Sequence, residues 1–241
     1  MDPDVSRTAL LRRWHLTLRA AGTTATPQTV DRQGHSLIAA WSMPHRRYHD
    51  LAHLFDVLTA LDTLTSPTRD HAEPHTPRDH AELHEQPGPA DPDLVAAQLA
   101  AWFHDAVHDG RPGHDERDSA ALAERSLAEL ELDASLIARV ARLIMFTADH
   151  SAAPDGDTAA ALLLDADLAV LGRDPDGYAA YAAAIREEYA AVPEPEFRAG
   201  RRAVLQRLSA RDPLYRTESG RRLWQRAARR NLTAEIASLS D

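Results

Sequence analysis

The segment WFHDAVHD, residues 102–109, sets two His-Asp pairs four residues apart behind an apolar lead-in. Imidazole beside carboxylate is a donor set that borderline divalent cations take from proteins. The chain has 13 His and no Cys, so disulfides and thiolate sites are excluded and any metal must be held by His and carboxylates. Random placement at this composition gives about one His-Asp pair. The chain has four, at His49-Asp50, His104-Asp105, His108-Asp109 and His114-Asp115. Only His104-Asp105 follows a run that would bury it, formed by Leu99, Trp102 and Phe103. Read as a helix, the segment places His104 and His108 on one face, with Asp105 and Asp109 one step round. The competing reading is a solvated helix rich in His and Asp.

Convergence of His53, His104, Asp105 and one later Asp would give two imidazoles and two carboxylates. That set suits Mn, Fe, Zn, Co or Ni, and Mg alone less naturally. Such an ion polarises a phosphoryl oxygen and lowers the pKa of water. Cleavage of a phosphate ester also needs a proton for the leaving oxygen, which His can supply near neutral pH. The later Asp comes from LLLDADLAVLG, which offers Asp165 and Asp167. Two residues apart on a helix is about 200° around its axis, so both cannot face one ion. Apolar residues flank both, and helical phase leaves the choice open.

These residues must be carried by helices, because no segment shows sustained period-2 alternation. A first helix starts after Asp4 or Ser6 and ends by Gly22. Thr26-Pro27 opens a second, which Pro44 terminates. A third runs from about Tyr48 to Leu64, with His49 and His53 one turn apart on it. Residues 66–92 are Pro-rich, hold two copies of a RDHAExH unit and lack large apolar anchors, so they read as a polar insertion. Asp91-Pro92 caps a fourth helix that delivers WFHDAVHD. Later helices are expected at about 115–131, from a cap at Asp133 to about 150, and at 158–171. Asp174-Pro175 opens another, with Tyr178, Tyr181, Ile185 and Tyr189 on one stripe, and the last two lie at 195–210 and 217–239. The expectation is an all-α, single-domain bundle of about ten helices spanning 1–241.

Net charge is −10, which argues against stable nucleic-acid binding. The charge is uneven: residues 198–230 carry eleven Arg against Asp212 and Glu218, a local +9. A solvated face accounts for such a cluster. The sharper reading sends Arg201, Arg202 or Arg216 to a substrate phosphate, which guanidinium grips in a bidentate fork. No apolar run is long enough to span a membrane, and the N-terminus lacks a signal-peptide pattern, so a cytoplasmic location is expected.

His53, His104-Asp105 and a later Asp resemble the H…HD…D signature of the HD superfamily of metal-dependent phosphohydrolases. YHDLAHLFDV at 48–57 is similar to the opening motif of cyclic nucleotide phosphodiesterases, with Asp50 where they carry Asn; FHDAVHDG at 103–110 and TADHS at 147–151 are similar to the same enzymes. PHRRYHDLAH, WFHDAVHD, Asp115-Glu116…Ser119-Ala120, LDADLAVLG, IREEY and ARRNL together resemble a family of predicted HD phosphohydrolases, over most of the chain outside 66–92. That family usually carries Tyr at the position of His108.

The resemblance implies an HD-type bundle with His53, His104, Asp105 and Asp167 as metal ligands. Asp167 is preferred because Ala166-Asp167-Leu168 matches the pattern around the last ligand, leaving Asp165 as the alternative or a supporting residue. It implies His49 as proton donor, Asp109 at the position of a catalytic acid, and His150 as support for a second ion such as Mg. The activity implied is hydrolysis of a phosphoester or phosphoanhydride in a small phosphorylated substrate, a nucleotide by analogy. Two other classes compete: an HD-fold di-iron oxygenase, for which His108 and His150 are available as extra ligands, and a non-catalytic metal- or nucleotide-binding module.

Overall fold

The computed structural model of the chain describes residues 3–66, 90–111 and 113–239. Among them are ten α-helices and no strand. They are α1 (Pro3–Ala20), α2 (Pro27–Trp41), α3 (Leu51–Thr65), α4 (Pro92–Phe103), α5 (Asp115–Glu129), α6 (Ala134–Ala148) and α7 (Thr158–Asp167). A 3₁₀ turn (Leu168–Gly172) then leads to α8 (Pro175–Glu188), α9 (Glu194–Ser209) and α10 (Glu218–Ser238). Most starts are written in the chain as caps. Thr26, Asp50, Asp91, Asp133, Asp157, Asp174 and Thr217 each accept a backbone N–H from the first turn they precede. Such a cap stabilises a helix by about 1 kcal/mol. Of the 66–92 stretch, Ser66 closes α3 and Pro92 opens α4; residues 67–89, with the repeated unit, lie outside the described residues.

Two expected helices differ at the ends that carry the chemistry. Helix α3 starts at Leu51, because Asp50 is extended (φ −116°, ψ −168°) and its carboxylate accepts from Ala52 and His53 N–H. His49 therefore stands in the turn ahead of the helix and not one turn down it. Helix α4 ends at Phe103, so His104 and His108 do not share a helical face. The chain leaves the helix because α5 takes its backbone groups. Ser119 Oγ accepts from Val107 N–H at 3.0 Å, and Asp115 Oδ2 accepts from Asp109 and Arg111 N–H at 2.9 and 2.8 Å. Gly110 completes this loop with φ +73°, a conformation that a residue with a Cβ adopts only under strain.

The main apolar core joins α1 to α7 around Trp14, Trp41, Trp102 and Phe103, all fully buried. Trp14 meets Trp102 edge-on at 5.2 Å and donates its indole N–H to the Val30 carbonyl at 2.9 Å. Trp41 donates to the Trp102 carbonyl at 3.0 Å, which ties α2 to the end of α4. Gly34 is required here, since a Cβ on it would stand 2.6 Å from the Trp14 ring. A second apolar cluster, around Leu171, Leu205, Tyr215 and Leu232, joins the 3₁₀ turn to α8, α9 and α10, and Trp224 packs against both. No described helix is long and apolar enough to cross a membrane.

Candidate metal centre

Helix α4 is buried from Val95 to Phe103 except at Gln98, and the side chain following it, His104, is only 1% exposed. Its Nδ1–H donates to the Ala101 carbonyl at 2.9 Å, so Nε2 is the ring nitrogen turned to the interior. His53, in the first turn of α3, brings its own Nε2 to 3.3 Å from that atom. Asp105 Oδ2 lies 3.2 Å from His104 Nε2 and 3.7 Å from His53 Nε2. The last residue of α7, Asp167, puts Oδ1 3.3 Å from His53 Nε2 and 3.5 Å from His104 Nε2. His53, His104 and Asp105 thus bring two imidazole nitrogens and a carboxylate oxygen within 4.8 Å of one another, and Asp167 Oδ1 adjoins the two nitrogens without joining that group. The donor set fits a divalent transition metal. Trp41, 5.5 Å from the His104 ring, and Tyr48, 4.7 Å from the His53 ring, wall it in.

Burial alone would raise the carboxyl pKa values at this point. The surrounding imidazoles, His104 foremost, outweigh it and hold Asp105 and Asp167 below the ordinary carboxylate range. The same interaction holds His104 well above the usual imidazole value although burial pulls the other way. Both carboxylates are therefore ionised and ready to ligate.

A second group of side chains adjoins this one. Glu188, the last residue of α8, accepts from His49 Nδ1–H at 2.5 Å and from His108 Nε2–H at 3.1 Å, both through Oε1. Its Oε2 accepts the backbone N–H groups of Arg47, Tyr48 and His49 at 2.8, 3.0 and 3.1 Å. Burial opposes ionisation of Glu188, but these donors outweigh it and hold the carboxyl far below its usual range. His49 and His108 lie against each other with ring centroids 4.1 Å apart and the ring planes tilted by 31°. Burial lowers the His49 pKa against the pull of Glu188, whereas Glu188 and Asp105 raise that of His108 against burial. Arg46, itself buried, stitches the two loops together: it donates to the carbonyls of His49 and Asp105 at 2.7 Å each and of Ala106 at 3.0 Å. His49, His104, Asp105, His108 and Tyr189 line one cavity of about 190 Å³. Burial and the nearby Glu188 push the Tyr189 phenol up to about 12, so it stays a neutral hydrogen-bond donor near neutral pH.

His150 reaches the same cavity from beyond α6, and its buried Nε2, 3.6 Å from Asp167 Oδ2, has no hydrogen-bond partner among the described residues. Other residues singled out in the sequence lie elsewhere. Asp165 points the opposite way from Asp167 and accepts from Arg216 N–H, Thr217 N–H and Thr217 Oγ, each at 2.7 Å, docking the start of α10. Gly220 permits that approach, since a Cβ there would meet Asp165 Oδ2 at 2.6 Å. Asp109 turns outward, 57% exposed, to pair with Arg111 at 2.8 Å; Asp115 fixes its backbone and leaves its side chain outside the cavity. Arg201 is buried in a pairing with Glu235 and donates to the Tyr181 hydroxyl at 3.0 Å. Arg202 is exposed. Arg216 is spent on the carbonyls of His150 and Ala153 at 2.8 and 3.2 Å, bracing the loop that carries His150.

Glu188 and Arg46 escaped the sequence reading. Both lie inside runs singled out there, IREEY and PHRRYHDLAH, but no spacing rule distinguishes Glu188 from Glu187 or Arg46 from Arg47. No protein-family model matches the chain, and no curated protein or solved structure matches it either.

Proposed function

We propose that the protein is a metal-dependent phosphohydrolase of the HD type, acting on a phosphoester or phosphoanhydride of a small substrate. The observation that carries this assignment is the cluster of His53, His104 and Asp105, with Asp167 Oδ1 within 3.5 Å of both imidazole nitrogens, beside a partly open polar cavity. A divalent ion held there supplies Lewis acidity toward a phosphoryl oxygen and makes water acidic enough to attack near neutral pH. The chain's own residues do the rest. The cavity of about 190 Å³ admits a phosphoryl group and little else, so the remainder of the substrate extends toward its mouth. Tyr189 lines it as a neutral phenol. His49, oriented through Nδ1 by Glu188, is left with Nε2 to carry a proton to the leaving oxygen. A nucleotide is the substrate class implied by the family resemblance.

A panel of nucleotides and sugar phosphates, assayed with Mn, Co, Ni, Zn and Fe, tests the proposal directly. Metal-dependent phosphate release that disappears in His53→Ala and Asp167→Ala supports it. A second reading, a di-iron oxygenase, draws on the orphaned His150 Nε2 beside Asp167. Two irons per chain with dioxygen uptake and no phosphate release would favour that reading. Tight metal or nucleotide binding with neither activity would leave a non-catalytic module.

A further inference from the structure

We infer that His49, His108 and Glu188 form a second transition-metal site, with its own ligand set beside the centre of His53, His104, Asp105 and Asp167. One ligand atom from each of the three residues lies within 4.8 Å of the other two. Two imidazole nitrogens already aim at a single carboxylate oxygen, from 2.5 and 3.1 Å. That oxygen is locked in place, because the other one, Oε2, is held by three backbone N–H groups of the 47–49 turn. The side chains are 19%, 11% and 4% exposed, and His49 and His108 line a cavity through which an ion can enter. Two imidazoles and one glutamate make a three-ligand set with an open position, which suits Zn, Co or Ni better than Mg or Ca.

Binding asks only for a small adjustment: the 2.5 Å contact between His49 and Glu188 must open to about 3.3 Å, the spacing of two ligands on one tetrahedral ion. Each imidazole moves its N–H proton to its other ring nitrogen and offers the freed lone pair, while Glu188 is already ionised. The ion replaces two hydrogen bonds to Oε1 and leaves the three on Oε2 intact. One consequence rests on the role proposed for His49: an ion on this imidazole takes it out of proton transfer. Excess Zn then inhibits the enzyme that the first ion activates.

Titration of the metal-free protein with Co(II), followed by its visible absorption, and with Zn by calorimetry tests the site without reference to turnover. Two equivalents are expected in the wild type, one tight and one weaker. His108→Ala should keep the first and lose the second; its side chain makes one hydrogen bond, to Glu188, and its removal leaves the backbone contacts of the turn in place. His53→Ala should weaken the tight event and keep the other. One equivalent in the wild type, or two unchanged in a folded His108→Ala, overturns the inference. If no phosphatase activity is found at all, the proposed function fails while the stoichiometry still decides the site. If activity is found, inhibition by Zn above one equivalent should be absent in His108→Ala.

Discussion

Glu188 is where the placement of His49 is most exposed to test. Its carboxylate holds five hydrogen bonds, two from imidazoles and three from backbone N–H groups, with a side chain only 4% exposed. Glu188→Gln keeps the shape: its carbonyl oxygen can still serve the three backbone donors, but its NH₂ then faces two imidazole N–H groups and forces both tautomers to reverse. Turning two charge-assisted bonds into neutral ones costs about 2 kcal/mol. At about 2–4 °C per kcal/mol for a chain of this size, the melting temperature should fall by about 4–8 °C. Glu188→Ala, which strands all five donors, should cost about 3–5 kcal/mol.

The dependence on pH gives the sign. The folded Glu188 pKa is depressed, so its contribution is complete above its unfolded value, about 4.3, and is lost as pH falls below that. The folded His108 pKa is raised, so its contribution is complete below about 6.5 and is lost as pH rises through the folded value. The deficit of Glu188→Gln should therefore peak between about pH 4.5 and 6.5 and shrink on either side. Thermal denaturation of both variants from pH 3.5 to 8 measures this. A Glu188→Ala protein that melts within a degree of the wild type throughout would refute the account of the 47–49 turn.

The remaining expectations concern pairs of residues that look interchangeable in sequence. Asp167→Ala should lose bound metal and melt close to the metal-free wild type, whereas Asp165→Ala should retain metal but lose about 3 kcal/mol with its three hydrogen bonds to the start of α10; metal analysis and melting curves of both variants decide it. His53→Ala should lose the tightly bound metal of the first centre, and His49→Ala should keep that metal while turnover drops by about 10²–10⁴, with a smaller drop for a nitrophenyl ester whose leaving group needs no proton. A metal-free His49→Ala protein would reverse the two assignments. Arg201→Ala should destabilise the fold by about 3 kcal/mol, because it leaves half-buried Glu235 with only the Tyr178 hydroxyl for a partner. A raised KM in a variant as stable as the wild type would return Arg201 to substrate binding.

The residue order by itself determined the helical architecture. Its signals are local: Asp-Pro and Thr-Pro caps at Pro27, Pro92 and Pro175, and apolar stripes such as Leu54, Leu58 and Leu61, act within a turn or two of themselves. His104 and Asp105 were legible for a related reason, since a charged pair placed directly after a buried run has to be matched by another polar group inside; His53 was legible from the resemblance of its motif. The tertiary structure alone decided the rest. Asp165 and Asp167 have the same neighbours in sequence and opposite surroundings in space, one beneath α10 and the other between two imidazoles. His49 stands ahead of its helix, where Glu188, 139 residues away, accepts its backbone N–H and its ring N–H. Asp109 is turned out by Arg111, while Asp115 holds its backbone. The Arg-rich C-terminal stretch owes its charge in part to pairing: Arg201 answers Glu235, and Arg229 answers Asp212. Apart from Asp109, whose partners lie two and six residues away, the deciding partner is remote, and a buried or half-buried polar group takes whichever partner the packing of helices brings within about 3 Å, which no local spacing encodes.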